Sequence, residues 1–342
     1  MKVALDAQLT IGTATGIGEY VRGLAEALRL NGVVDVVELT EPRLDPWRFD
    51  RRVLWDQLLL PRRARAAHAD LLHCASGTVP LRATLPLVAT VHDVAWLRVQ
   101  AHARVYARYY FGQFSLDRYR GVAQIAVDSN FSRSELLRVL DRYDPDRVHV
   151  VYPGVDGDFC RLARGAGDRR TILVVGTVER RKNLGAMIAL LPQLPGARIV
   201  SVGPPTSYRD ECRDLARSLG VSDRVDFRGY VTRHDLLDLY ATCAVVAVPS
   251  LYEGFGYAAA QALCSGAPCV VSDRGALPEI VGADARVVAV DDRASWAQAL
   301  ALALDGTASA AAARVRDGAI ARFAWPASAR RMEEVYRAAL GT

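Results

Sequence analysis

Short apolar runs alternate with longer amphipathic ones along the whole chain. In the first half the apolar runs are "KVALDA" (2–7), "VDVVEL" (34–39), "DLLHC" (70–74), "PLVATV" (86–91), "AQIAV" (123–127) and "VHVVY" (148–152). In the second half they are "TILVVG" (171–176), "ARIVSVG" (197–203), "VDFRG" (225–229), "CAVVAVP" (243–249), "PCVVSD" (268–273) and "ARVVAV" (285–290). Runs of this length that are apolar on both faces, separated by helical segments of a dozen or more residues, are what parallel sheets covered by crossover helices require. The pattern predicts an α/β protein with two open parallel-sheet domains. Between them, "RLARGAGDRR" (161–170) is charged, glycine-containing and poor in apolar residues, as a linker would be. The expected division is 1–163, 164–324 and a terminal helix, 325–342, free to cross back onto the first domain. A ligand cleft is expected between the domains, near the carboxyl ends of the strands.

Length supports this division, since 342 residues exceed one ordinary core and suit two. With 51% hydrophobic and 24% charged residues the chain reads as globular, and no apolar run reaches the ~18 residues of a membrane span. The start "MKVALDAQLT" lacks a signal-peptide layout, which points to the cytoplasm. The six cysteines have no metal-site or disulfide-scaffold spacing and read as buried thiols. "SNFS" (129–132) reads as a helix start rather than a glycosylation site. A net charge of +5 favours anionic partners, such as phosphate-bearing small molecules or an acidic membrane surface. No nucleic-acid module is recognisable.

Four segments could carry chemistry. Gly16 and Gly18 follow the first strand without the GxGxxG spacing of a dinucleotide site. They could bring backbone N–H groups to a phosphate or sugar, or simply make a tight turn. His92 and Asp93 follow the strand "LPLVAT", where ligands of such sheets bind, with Trp96 as a possible pocket wall. A turn-capping role is the alternative. Arg181 and Lys182, in "GTVERRKNL" (176–184), stand between a strand end and a helix start, where two cations would neutralise a diphosphate or merely face solvent. In "LYEGFG" (251–256), Gly254 and Gly256 allow close backbone approach around Phe255, and Glu253 could accept hydrogen bonds from sugar hydroxyls. Gln261 follows eight residues later on the helix expected to begin near Tyr257.

Taken in order, "TGIGEYVRGLAEAL" (15–28), "VHDVAWL" (91–97), "VDSNFSRSELLR" (127–138), "VVYPGVD" (150–156), "VGTVERRKNL" (175–184), the stretch from "RGYV" to "YEGFG" (228–256) and "SGAPCVVSDRGALPEIVG" (265–282) resemble the retaining glycosyltransferases of family 4. The resemblance implies a GT-B fold of two Rossmann-like domains facing across a cleft, the first binding the acceptor and the second the nucleotide sugar. It implies that Gly16 and Gly18 approach the diphosphate and acceptor, and that His92 lies near the 6-hydroxyl of the transferred sugar. Arg181 and Lys182 would hold the diphosphate, and Glu253 would contact the hexose near its 3-hydroxyl. Gln261 stands where relatives carry a second glutamate on the ribose, and Thr177 where many carry arginine. The backbone around Tyr230 would read the base.

The implied reaction moves a hexose, mannose from GDP-mannose in the leading version, onto a glycan, lipid-linked or small-molecule hydroxyl, with retention and without a metal or bound cofactor. UDP- and dTDP-sugars, or a silent binding protein, are the alternatives. Two further segments bear on the acceptor side. "WRFDRRVLWDQLLLPRRARAAHAD" (47–70) and "RVYARYYFGQFSLDRYR" (104–120) interleave arginines with aromatic and leucine residues, as a surface touching an anionic bilayer or a lipid diphosphate would. The same pattern also fits a buried face with arginines in solvent.

Overall fold

The computed structural model describes residues 1–12, 16–95, 109–165 and 168–342. They form two compact units, residues 1–154 with 324–342, and residues 155–323.

The first unit holds six parallel strands, β1 (Lys2–Asp6), β2 (Asp35–Leu39), β3 (Leu71–Cys74), β4 (Leu87–Val91), β5 (Gln124–Val127) and β6 (Val148–Val150). They lie in the order β2-β1-β3-β4-β5-β6. Side chains alternate across the sheet, so each strand feeds two cores. Val3 and Leu5 of β1 pack under the helix Gly16–Asn31, whose Tyr20, Val21, Leu24 and Leu28 recur at helical spacing. Ala4 faces the other side, with Trp55, Leu60 and Ile125. The helix Trp325–Leu340 returns to this unit and buries Met332, Val335 and Tyr336 on the first face. Its opening Trp325 lies flat against Gly23 and Gly154, where any Cβ would overlap the indole.

The second unit holds β7 (Asp168–Val175), β8 (Arg198–Val202), β9 (Val225–Gly229), β10 (Cys243–Val248), β11 (Cys269–Ser272) and β12 (Arg286–Val288), in the order β12-β11-β10-β7-β8-β9. The chain runs β7-β8-β9 outward in one direction, then returns to β10 on the other flank of β7. The order therefore reverses between β7 and β10, and the carboxyl ends of strands at such a reversal are where open parallel sheets bind ligands. Each apolar run of the sequence coincides with one of the twelve described strands, with ends that differ by at most three residues. Ser129 accepts from Ser132 N (3.0 Å) and so caps the helix Asn130–Val139, as the "SNFS" stretch suggested.

The passage between units falls at Gly154–Val155, ahead of the 163/164 division expected from composition. Residues 155–163 join the second unit because specific contacts hold them there. Phe159 is fully buried edge-on to Tyr240 (5.0 Å), and Arg316 donates to the carbonyls of Cys160 (2.7 Å) and Leu162 (2.8 Å). Within the polar segment 161–170, Arg164 is anchored on the Cys243 carbonyl (2.6 Å), so its charge reflects backbone capping rather than a linker. All six cysteines are free and all but Cys160 are buried. Among the described residues no helix is long and apolar enough to cross a membrane.

Candidate active site

In the second unit the candidate residues gather where the strand order reverses. β7 is followed by Gly176, whose φ of +137° and contact with the Lys182 stem favour glycine. A short turn, Arg180–Lys182, follows and closes on Asn183 in the left-handed region (φ +57°). Asn183 Nδ2 donates to the Pro249 carbonyl (3.1 Å), and Leu251 N donates to the Arg181 carbonyl (2.7 Å). These two bonds tie the loop after β7 to the loop after β10. A third loop, after β11, supports Glu253 from below, since Ala276 N donates to its carbonyl (2.9 Å). Gly275 (φ +64°) passes so close that a Cβ there would lie 2.6 Å from Glu253 N.

Glu253 is 6% exposed, yet it is surrounded by donors. Its Oε1 accepts from Lys182 Nζ (2.6 Å) and Ser250 Oγ (2.7 Å), and its Oε2 from Arg181 Nη1 (3.4 Å). Burial alone raises its pKa, but Lys182 and Arg181 outweigh that cost and hold the carboxyl below its ordinary value. Arg181 also donates to the Tyr252 carbonyl (2.9 Å) and to Glu179 (2.7 Å). The expected cationic clamp is thus a cluster of two cations and two carboxylates. A diphosphate would meet ammonium and guanidinium groups already oriented by Glu253 and Glu179.

The neighbouring candidates divide. Gly256 (φ +95°) caps the helix Tyr257–Ser265, and its missing Cβ makes room for Leu277. Gly254 is buried in the same loop. Phe255 is a packing residue, its ring 5.7 Å from Phe323 and 5.2 Å from Tyr257, so only its backbone is available to a ligand. Gln261 is half-buried, and its Oε1 accepts from the hydroxyl of fully buried Tyr240 (3.0 Å). A glutamine suits a position with a hydroxyl donor fixed on one side, because its amide nitrogen stays a donor on the other. Thr177 is half-buried directly after Gly176, with its carbonyl bonded to Glu179 N (2.9 Å). Tyr230 is 55% exposed beyond the end of β9.

In the first unit His92 follows β4 and Asp128 follows β5. His92 Nδ1 lies 2.7 Å from Asp128 Oδ2, and Nε2 lies 3.0 Å from the Ala75 carbonyl. A carbonyl oxygen only accepts, so Nε2 carries a hydrogen. Burial lowers the His92 pKa, but Asp128 and the Ala75 carbonyl reverse this and raise it above its ordinary value, while burial raises the pKa of Asp128 against the pull of His92. Tyr20 meets the ring edge-on at 4.9 Å. Both ring nitrogens are therefore engaged within this unit, a constraint that sequence did not reveal. Gly16 is exposed and Gly18 buried at the start of the helix Gly16–Asn31, and Asp93 accepts from Ala95 N (3.0 Å). Trp96, the suggested pocket wall, lies outside the described residues.

Sequence reasoning missed a second buried cluster, at the end of β1. Arg52 bonds Asp56 (2.9 Å), Thr78 (2.7 Å), Ser76 and Asp6, while Trp55 donates to Asp6 (2.8 Å). Burial pushes Asp56 up to about 6, against the pull of Arg52. The arginine-rich segment 47–70 is thus divided, with Arg52 and Trp55 inside and Arg48, Arg62 and Arg65 outside.

Comparison with known proteins places this geometry in a class. The chain aligns over 98% of its length with sucrose-phosphate synthase from Thermosynechococcus elongatus (98% of that chain, TM-score 0.76, 23% identity). It aligns similarly with Anabaena HepE in complex with UDP-glucose (98% and 99%, TM-score 0.76, 18% identity). With two parallel six-stranded sheets, this is the two-domain GT-B fold. Residues 14–159 match glycosyltransferase family 4 and residues 163–319 match the glycosyl transferases group 1. D-inositol 3-phosphate glycosyltransferase from Mycolicibacterium paratuberculosis is 32% identical over 315 residues, 81% of this chain and 70% of the relative. The enzyme of that name from Mycobacterium avium is 32% identical over 319 residues (81% and 72%). The chain belongs to the group 1 glycosyltransferases of family 4.

Proposed function

We propose that this transferase moves a hexose from a nucleoside diphosphate sugar to an acceptor hydroxyl with retention of anomeric configuration. The observation that carries the reading is the ionised, buried Glu253 set between Lys182 and Arg181 at the reversal of strand order. The second unit binds the donor. As the glycosidic bond to the phosphate breaks, negative charge grows on the leaving diphosphate and positive charge on the sugar ring. Lys182 and Arg181 face the first, and Glu253 accepts from hexose hydroxyls and opposes the second. The departing phosphate takes the acceptor proton on the same face, so retention needs no protein nucleophile. This reading routes no step through a divalent ion, so transfer is expected to persist in EDTA. The first unit binds the acceptor beside Gly16, Gly18 and His92.

GDP-mannose is the donor favoured by the "GTVERRKN" and "SLYEGFG" loops. A uridine donor is the second reading, supported by the UDP-glucose bound in HepE. Thermal stabilisation against GDP-, UDP-, ADP- and dTDP-sugars separates them, because a ligand bound only to the folded state raises apparent stability by mass action. A shift with one nucleotide series assigns the donor, and NMR of the product's anomeric proton tests retention. No shift with any donor, together with no release of nucleoside diphosphate, refutes the reading.

A further inference from the structure

The segment of the first unit that runs through the helices Phe49–Leu54 and Leu60–Ala66 has two unlike sides. One side is core, carrying Arg52, Trp55, Leu60 and Ala64. The other leaves large apolar groups in solvent, with Trp47 57%, Leu54 37% and Leu58 47% exposed. Leu81 (54%) and Tyr109 (60%) extend this patch. Bonds place both beside Gln57, the neighbour of Leu58 in the chain. Leu81 N donates to Gln57 (2.8 Å), Gln57 donates to the Tyr110 hydroxyl (2.9 Å), and Tyr110 stacks on Phe114 (5.2 Å), which Tyr109 also approaches (6.4 Å).

Arginines border these apolar groups. Arg62, Arg65 and Arg82 are exposed and form no ion pair among the described residues. Arg48 and Arg51 share the single carboxylate of Asp50 (3.1 and 3.7 Å). Arg118 lies over the Phe114 ring (5.6 Å) and donates to the Leu81 carbonyl (3.0 Å). Exposed leucine and tyrosine accompanied by arginines in excess of carboxylates match the boundary of an anionic bilayer, where apolar groups enter the acyl edge and guanidinium groups reach lipid phosphates. A free phosphate would gain nothing from the leucines. A second copy of the chain docked face to face would set arginine against arginine.

We propose that this face docks the protein on the surface of an anionic phospholipid bilayer. Docking involves no transfer chemistry, so it stands or falls separately from the assignment above. The test is co-sedimentation of the full chain with phosphatidylcholine vesicles, with and without about one-third phosphatidylglycerol, at about 0.1 M salt. The protein is expected to pellet only with the anionic vesicles and to be released as salt rises. The double substitution Leu54→Asp with Leu58→Asp, and separately Arg62→Glu with Arg65→Glu, each lowers partitioning by at least about tenfold. Because Arg62 and Arg65 are exposed and form no ion pair among the described residues, the second variant is expected to keep its far-ultraviolet spectrum and melting temperature, and carries the test if the first misfolds. Equal binding to neutral vesicles, no binding to anionic ones, or undiminished binding by a folded Arg62→Glu/Arg65→Glu variant overturns the proposal. So does a concentration-dependent dimer that either substitution dissolves.

Discussion

Replacing Glu253 by glutamine separates the two jobs assigned to this carboxylate. The amide keeps the shape and one acceptor, so the contact with Ser250 Oγ survives, but the charge facing Lys182 at 2.6 Å and Arg181 at 3.4 Å is lost. Hydrogen bonds to charged groups contribute about 1.5–3 kcal/mol. With one short and one long contact weakened rather than deleted, the expected loss is about 2–3 kcal/mol. In a unit spanning residues 155–323 this lowers the melting temperature by about 5–10 °C. The loss has a pH signature. The folded pKa of Glu253 lies below its unfolded value, so its stabilisation is complete above about 4.3 and disappears as pH falls through the lower folded value. The gap between wild type and Glu253→Gln therefore closes in acid. Binding moves the other way. Lys182 and Arg181, relieved of their internal partner, should hold a nucleoside diphosphate as tightly as before or more tightly, while transfer falls by at least about a hundredfold. Calorimetric titration with the diphosphate and a coupled assay of its release measure both. A parallel loss of diphosphate affinity and turnover, or a stability gap that persists unchanged into acid, would refute the reasoning.

Three other predictions follow from the same geometry. Asp128→Asn removes the carboxylate that raises the His92 pKa, so the ring should titrate at lower pH in an NMR experiment. The wild-type His92 contribution to stability, present below about 6.5 and lost as pH rises through its raised folded value, should vanish in the variant, and a histidine signal that stays put counts against the pair. Gly275→Ala forces a Cβ onto the Glu253 backbone at a φ of +64° and should cost more than about 2 kcal/mol by thermal melting and weaken donor binding, whereas Gly318→Ala, with open space around it, should do neither. A hydrogen bond from Cys264 lowers the Cys160 thiol to about 7, with Arg316 adding to the effect, so iodoacetamide near neutral pH should label Cys160 ahead of the buried cysteines in a peptide map.

Local pattern determined the secondary structure of this protein. Each strand is a short apolar run buried on both faces, bounded by polar turns, and such a run has few other ways to satisfy its surface and its backbone together. The positions of Arg181, Lys182 and Glu253 relative to strand ends were equally legible, because the carboxyl end of a parallel strand is a place in the sequence as well as in the fold. What they do to one another was not. Lys182 and Glu253 are 71 residues apart, and only the placement of β10 beside β7 brings their side chains to 2.6 Å, turning an apparent cationic pair into a balanced cluster. The same holds for His92 and Asp128, which follow the adjacent strands β4 and β5, and for Asp6 and Arg52, 46 residues apart and joined only in the fold. The compact units divide ahead of the position that composition suggests for a related reason. Composition records which segments are polar, but whether an arginine faces water or caps a carbonyl, as Arg164 does, depends on which backbone ends the tertiary fold leaves beside it. Periodicity is a property of neighbours along the chain, whereas charge pairing and burial belong to neighbours in space.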